Sequence, residues 1–142
     1  MYQNIFEIGC CRALGEITRM RIMRLLAASG EEACLCEMEM SLQEPGYKLS
    51  RHLKILRDAG LLEAEKDGRW VYHRVATKPD YLVHLQEFVK ALPDPDGLYE
   101  QDLARFEEGT KCRVGGRCRG DRPETGDDET PRRERALGGS GR

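Results

Sequence analysis

The segment from residue 47 to residue 75 constrains the fold more than any other part of this 142-residue chain. A helix is predicted over 47–59, because leucines spaced i, i+4 and i+7 line its apolar face, namely Leu49, Leu53 and Leu56. Two strand-like runs, 61–65 and 70–75, then flank Asp67-Gly68, which is typical of a hairpin turn because glycine accepts a positive φ. A helix followed by a hairpin with a basic tip is the second half of a winged helix-turn-helix.

The rest of the chain predicts the remainder of such a domain. Apolar periodicity and end signals favour helices over 2–15, 18–29 and 34–42 before a break at Pro45-Gly46, and helices over 79–92 and 96–108 after the hairpin. The expected fold class is mainly α with a small β-hairpin, as a winged helix-turn-helix over 1–92 with a short helical extension over 93–108. Glycines and charges dominate from Gly109 onward, so 109–142 is predicted to be a flexible, disordered tail with two cysteines.

Composition narrows the class of protein. The chain has 34% charged and 39% apolar residues, no apolar run near the roughly 18 residues that span a bilayer, and no signal-peptide pattern at its start. We therefore expect a cytoplasmic protein without a membrane partner, in which six cysteines act as metal ligands or reactive thiols rather than in disulfides. Neither a C-x-x-C motif nor a βαβ pattern is present, so an enzyme is not expected.

Basic side chains are concentrated in one part of a chain whose net charge is −2. Residues 47–74 carry seven Lys or Arg against four acids, which is the local basic strip that duplex DNA requires. A recognition helix reads base edges in the major groove, and a wing contacts phosphates or the minor groove. The predicted DNA contacts are Tyr47, Lys48, Ser50, Arg51, His52, Lys54 and Arg57 on the helix and Lys66 and Arg69 at the wing tip. His52 fits a hydrogen bond against the core equally well.

Two thiols, Cys34 and Cys36, lie at the predicted start of the helix before the recognition helix. Residues i and i+2 of a regular helix point about 200° apart, so these thiols can hold one ion only where the first turn is unwound. The helix N-terminus should favour thiolate, whereas neighbouring acids such as Glu37 oppose it. Our hypothesis is that binding distorts this turn, misplaces the recognition helix and releases DNA.

With these motifs the chain resembles the ArsR/SmtB family of bacterial metal-sensing repressors. The resemblance is carried by the opening helices (12–22), the thiol box (33–37), the recognition helix (49–61) and the wing (68–72). It implies a homodimeric winged helix, paired through its first and last helices, that represses a resistance operon until a toxic ion binds.

The third ligand determines which ion is bound. As(III) and Sb(III) prefer three thiolates, whereas Cd(II), Pb(II) or Zn(II) accept a fourth ligand. Some arsenic-sensing relatives carry a third cysteine where this chain has Glu39, so the third sulfur must come from another site. The candidates are Cys10, Cys11, Cys112 and Cys118.

We favour arsenite as the inducer. The alternatives are a cadmium, lead or zinc sensor of the same fold and a repressor that senses thiol oxidation. Asp80, His84 and Glu87 on the predicted dimer helix resemble the ligand types of zinc sensors, but a solvent-exposed helix face explains them better.

Overall fold

A computed structural model describes residues 5–113, with side chains described from residue 8. The predicted fold class is confirmed, since six helices and three short strands account for the secondary structure of the described range. The elements are α1 (Ile5–Leu14), α2 (Ile17–Ser29), β1 (Ala33–Cys34), α3 (Leu35–Leu42), α4 (Gly46–Asp58), β2 (Leu62–Asp67), β3 (Trp70–Val75), α5 (Tyr81–Ala91) and α6 (Leu98–Gly109). None of these helices is long and apolar enough to cross a membrane.

The sheet has one strand more than the sequence predicts. Its order is β1-β3-β2, with both pairs antiparallel. Cys34 in β1 lies opposite Tyr72 in β3. A strand of two residues has no periodicity that could reveal it.

The hairpin turn lies one residue later than predicted. Asp67 pairs with Trp70 as the last rung of the ladder, so the two loop residues are Gly68 and Arg69. Gly68 has φ 67°, the conformation for which glycine was expected here.

α4 packs its leucine face into the core as predicted. Leu49, Leu53 and Leu56 are at most 2% exposed and belong to one cluster with residues of α2 and α3. The end of α3 and the start of α4 are set by Gln43, in the left-handed conformation, and Pro45, in an extended one. These two residues give the tight turn between the helices.

A buried ion-pair network joins α6 to α2 and α3. Asp102 accepts hydrogen bonds from Arg21 Nη2 at 2.8 Å and Arg105 Nη2 at 2.9 Å, and the bond to Asp102 raises the pKa of Arg21. Arg21 also donates to the Leu42 carbonyl at 2.8 Å, and Arg105 Nε to the Ser41 carbonyl at 2.7 Å. Carbonyls that the last turn of a helix leaves unsatisfied are thus bound, which fixes the C-terminal end of α3.

Residues 110–113 form a short turn in which the Arg113 N–H donates to the Thr110 carbonyl at 3.1 Å. Cys118 and most of the predicted tail lie outside the described residues, as do the first residues of the predicted 2–15 helix. The division into a domain over 1–92, an extension over 93–108 and a tail remains a prediction.

Candidate functional site

The two thiols of the thiol box lie at the junction of β1 and α3. Cys34 is the N-cap of α3, with φ −93° and ψ 172°, so it is extended and precedes the helix. Its N–H donates to Glu37 Oε1 at 3.1 Å, and its side chain is buried. Cys36 lies in the first turn and is half-buried.

The Cys34 and Cys36 sulfurs lie 3.4 Å apart. We expected this pair to need an unwound helical turn because we placed Cys34 inside the helix. That placement was wrong, since Cys34 precedes the helix. The 200° separation applies only to two helical residues. The pair is therefore brought together by the strand-to-helix junction itself.

The expectation that the helix start favours a thiolate is also wrong for Cys34. The hydrogen bond with Cys36, burial, and the negative charge of Glu37 together raise the pKa of the Cys34 thiol well above its ordinary range. Glu37 opposes the thiolate as predicted. Cys34 is therefore protonated at neutral pH before any ion binds.

The remaining cysteines are spread over other elements. Cys10 is buried in α1, where its sulfur lies 3.5 Å from the Ala59 carbonyl, while Cys11 and Cys112 are exposed. Cys118 lies outside the described residues. Within residues 5–113, no group of three His, Cys, Asp or Glu side chains is placed to hold a metal ion. The described geometry thus brings two sulfurs together and leaves any third ligand unassigned.

The alternative carboxylate and histidine set on α5 is not assembled into a site. Asp80, His84 and Glu87 are all exposed. Asp80 pairs with Lys78 at 3.2 Å and Glu87 with Lys90 at 3.1 Å. These contacts agree with the solvent-exposed interpretation of this face.

The outer face of α4 presents most of the predicted DNA contacts. Tyr47, Ser50, Arg51 and Lys54 are exposed, with Tyr47 at 74%. Lys54 forms an exposed ion pair with Asp58 at 3.0 Å, and Lys48, which is half-buried, pairs with Glu44 at 3.0 Å. Such pairs are weak in water, so they leave both lysines available to a phosphate.

Two predicted contacts instead bind other parts of the protein. His52 Nδ1 lies 3.2 Å from Arg19 Nη1, which agrees with the core-facing interpretation of this histidine. Burial is the main cause of its lowered pKa. Arg57 Nη1 lies 2.8 Å from Nε2 of His73 in β3. Both contacts anchor α4 to its neighbours.

The sequence interpretation assigned neither the contact of His73 with Arg57 nor the bond that Glu37 accepts from the Cys34 N–H. Burial and the nearby Arg57 charge lower the pKa of His73 to about 4, so the ring is neutral and accepts from Arg57. The Cys34-x-x-Glu37 spacing is that of a capping box, which is a signal for the role of Glu37 in the sequence. No comparable signal marks His73.

The wing tip is basic and contains the single tryptophan of the chain. Lys66 and Arg69 are exposed, and the Arg69 guanidinium lies 5.9 Å from the centre of the Trp70 ring. This distance is within the range of a cation–π contact. The wing therefore presents two cations on the hairpin that follows the recognition helix.

Comparisons with known proteins agree with this geometry. A helix-turn-helix domain family model matches residues 14–65. The arsenical resistance operon repressor of Escherichia coli K12 is 40% identical over 72 residues, 51% of this chain and 61% of that protein. The chain thus matches about three fifths of this relative's length.

Two further relatives are described as other regulators of transcription. An uncharacterized HTH-type transcriptional regulator of Methanocaldococcus jannaschii is 38% identical over 52% of this chain and 80% of its own length. A cadmium resistance transcriptional regulatory protein CadC homolog of Staphylococcus aureus is 27% identical over 72% of this chain and 77% of its own.

The solved structure of HlyU from Vibrio cholerae N16961 matches with a TM-score of 0.56 and 22% identity, over 63% of this chain and 94% of that one. This match supports the winged helix-turn-helix fold. The relatives are regulators of transcription. They confirm the prediction that this chain is not an enzyme. The chain belongs to the ArsR family of winged-helix transcriptional regulators.

Proposed function

We propose that this protein is a repressor that binds operator DNA as a homodimer and releases it when Cys34 and Cys36 bind arsenite or antimonite. The observation that carries the proposal is the 3.4 Å separation of the two sulfurs at the start of α3, the helix directly before the recognition helix. The name of the E. coli relative, an arsenical resistance operon repressor, supports the same inducer.

The sulfur separation fits two bonds to one ion, as a pyramidal ion requires. With sulfur bonds of roughly 2.3 Å, bond angles of about 90–100° place two sulfurs about 3.3–3.5 Å apart, whereas a tetrahedral ion places them about 3.8 Å apart. The observed 3.4 Å lies in the first range. The cysteine pair thus fits two of the three thiolates that As(III) prefers.

The first two sulfurs are already adjacent, so the distortion of α3 comes from recruiting the third. The candidate third ligands are Cys10, Cys11, Cys112 and Cys118, from the same chain or its partner in the dimer. A pull on the first turn of α3 would shift the helix that supports α4. Arg51 and Lys54 would then lose their positions on DNA.

Exposed apolar residues support the homodimer. Ile8 of α1 is 48% exposed, and Val83 and Phe88 of α5 are 44% and 56% exposed. Large apolar side chains left in water on these two helices are what a second copy would cover. Within the predicted 1–92 domain these are the first and last helices, which the family resemblance implies as the dimer contact.

The DNA-binding face can be tested by removing the two exposed cations of α4. The double variant Arg51→Ala/Lys54→Ala should bind an operator fragment, selected from random sequence with the wild-type protein, roughly 100-fold more weakly. The slope of log affinity against log salt should also fall by about two, one for each lost phosphate contact. Fluorescence anisotropy measures both. Lys78→Ala, which removes an exposed lysine before α5, serves as the control, and equal losses in both variants would contradict the assignment.

The inducer site can be tested on the same DNA complex. Arsenite should release the wild-type protein at low thiol equivalents, whereas Cys34→Ser/Cys36→Ser should bind DNA normally and stay bound when arsenite is added. Serine keeps the size of each side chain and removes the sulfur ligand. A full arsenite response from the double variant would refute the site, and release by peroxide alone would support the thiol-redox alternative.

The dependence of inducer affinity on pH distinguishes an arsenite sensor from a cadmium sensor, which the name of the CadC homolog suggests. Each thiol replaces one hydroxide of neutral arsenous acid and one water leaves, so no proton is released. Cd(II) must displace the protons of the two thiols, and the raised pKa of Cys34 makes this harder as pH falls. From pH 8 to pH 6 the arsenite affinity, measured by DNA release, should change by less than about 3-fold. Cadmium affinity should fall by up to about 100-fold per pH unit.

The opposite pattern would contradict the arsenite assignment. Release of DNA by cadmium, lead or zinc at every pH, with no release by arsenite, would assign the protein to the metal-ion sensors of the same fold. Buffers must contain no added thiol, which would compete for either inducer.

A further inference from the structure

Gly46, the first residue of α4, is in direct contact with α3. A Cβ atom built on Gly46 would overlap the Glu39 carboxylate, and it would lie 2.9 Å from Glu39 Cδ and 3.5 Å from Leu35 Cδ2. Leu35 and Glu39 are four residues apart on α3, so they share one helical face. This face therefore meets the backbone at the start of the recognition helix, where no side chain intervenes.

The contact starts within the thiol box. Leu35 stands between Cys34 and Cys36, and Glu39 follows one turn later. Because Arg21 and Arg105 hold the C-terminal end of α3, a pull on its first turn tilts the helix about that end. Such a tilt would change the contact that Leu35 and Glu39 make with Gly46.

The position of Gly46 determines what this movement does to DNA binding. Tyr47 follows it directly, and Ser50 and Arg51 lie one turn further along α4. The Glu39 carboxylate also places a negative charge at the N-terminal end of α4, where the helix dipole favours it. Glu39 therefore both contacts α4 and is held there electrostatically.

We propose that Glu39 is a positioning residue that couples the thiol pair to the recognition helix through its contact with Gly46, a role that rests on the proposed function. Glu39 occupies the place of a third cysteine in some arsenic-sensing relatives. Within residues 5–113 it completes no group of three metal ligands with the two cysteines. In this chain Glu39 transmits the movement of α3 to Gly46 and thus to α4.

The coupling ratio tests this role. We define it as the dissociation constant of the operator complex with saturating arsenite divided by that without arsenite. Glu39→Ala leaves a gap beside Gly46, so its ratio should be about 3- to 30-fold below that of the wild type. Arsenite affinity of the free protein, followed by the ultraviolet absorbance of thiol–arsenic bonds, should stay within about 2-fold of wild type, a change smaller than the loss of coupling.

Three further variants separate the effect of the contact between Glu39 and Gly46 from the effects of the Glu39 charge and of altered folding. Glu39→Gln keeps the shape and the contact but removes the charge that holds the side chain at the start of α4, so it should keep more of the ratio than Glu39→Ala does. Gly46→Ala displaces the carboxylate and should lower the ratio as Glu39→Ala does. The double variant Glu39→Ala/Gly46→Ala places a methyl group in the gap and should restore part of the ratio. Glu100→Ala, which removes an exposed carboxylate from α6, is the matched control and should behave as wild type.

A wild-type ratio in Glu39→Ala, with normal arsenite binding, would overturn the inference and leave the proposed function intact. Equal loss of operator affinity with and without arsenite would also overturn it, because that result describes a residue needed only for structure. Wild-type protein that binds no arsenite would refute the proposed function, and the coupling role with it.

Discussion

The backbone conformation of Cys34 is the constraint on which the proposed sensing site depends. Its pairing with Tyr72 in β3 and the bond from its N–H to Glu37 keep it extended at the end of β1. One residue later the chain enters α3, which turns Cys36 back toward Cys34. A Cys34 inside the helix would point away from Cys36. The third strand of the sheet, although only two residues long, therefore creates the two-sulfur site.

α3 connects this site to the DNA-binding face. Its first turn holds Cys36, its C-terminal carbonyls are bound by Arg21 and Arg105, and its outer face touches Gly46 of α4. α4 is in turn held to the wing strand by the short contact between Arg57 and the neutral His73. The thiol pair, the recognition helix and the wing are thus joined by a few contacts, and we propose that a small shift of α3 reaches the groups that we expect to contact DNA.

The sequence was sufficient for the fold because its periodic signals are strong. The leucine spacing of α4 is typical of a buried helix face, and the glycine of the hairpin is typical of a tight turn. These signals predicted the ends of the recognition helix and of the wing strands within about two residues, which is the usual uncertainty of helix ends. The geometry of the thiol pair was not predictable, because it depends on β1, whose pairing partner lies about forty residues away in sequence. The contacts of Arg57 with His73 and of Glu39 with Gly46 depend on packing between elements, which residue spacing along one helix does not report.

The most direct test of the account is X-ray absorption spectroscopy of the arsenite-loaded protein at the arsenic edge, in buffer without added thiol. The account predicts arsenic bonded to three sulfurs in the wild type. It also predicts that at least two of these are lost in Cys34→Ser/Cys36→Ser, because the pair provides two of the three ligands. Arsenic that remains bonded only to oxygen in the wild type, or an unchanged sulfur count in the double variant, would contradict the central claim that this pair is the inducer site.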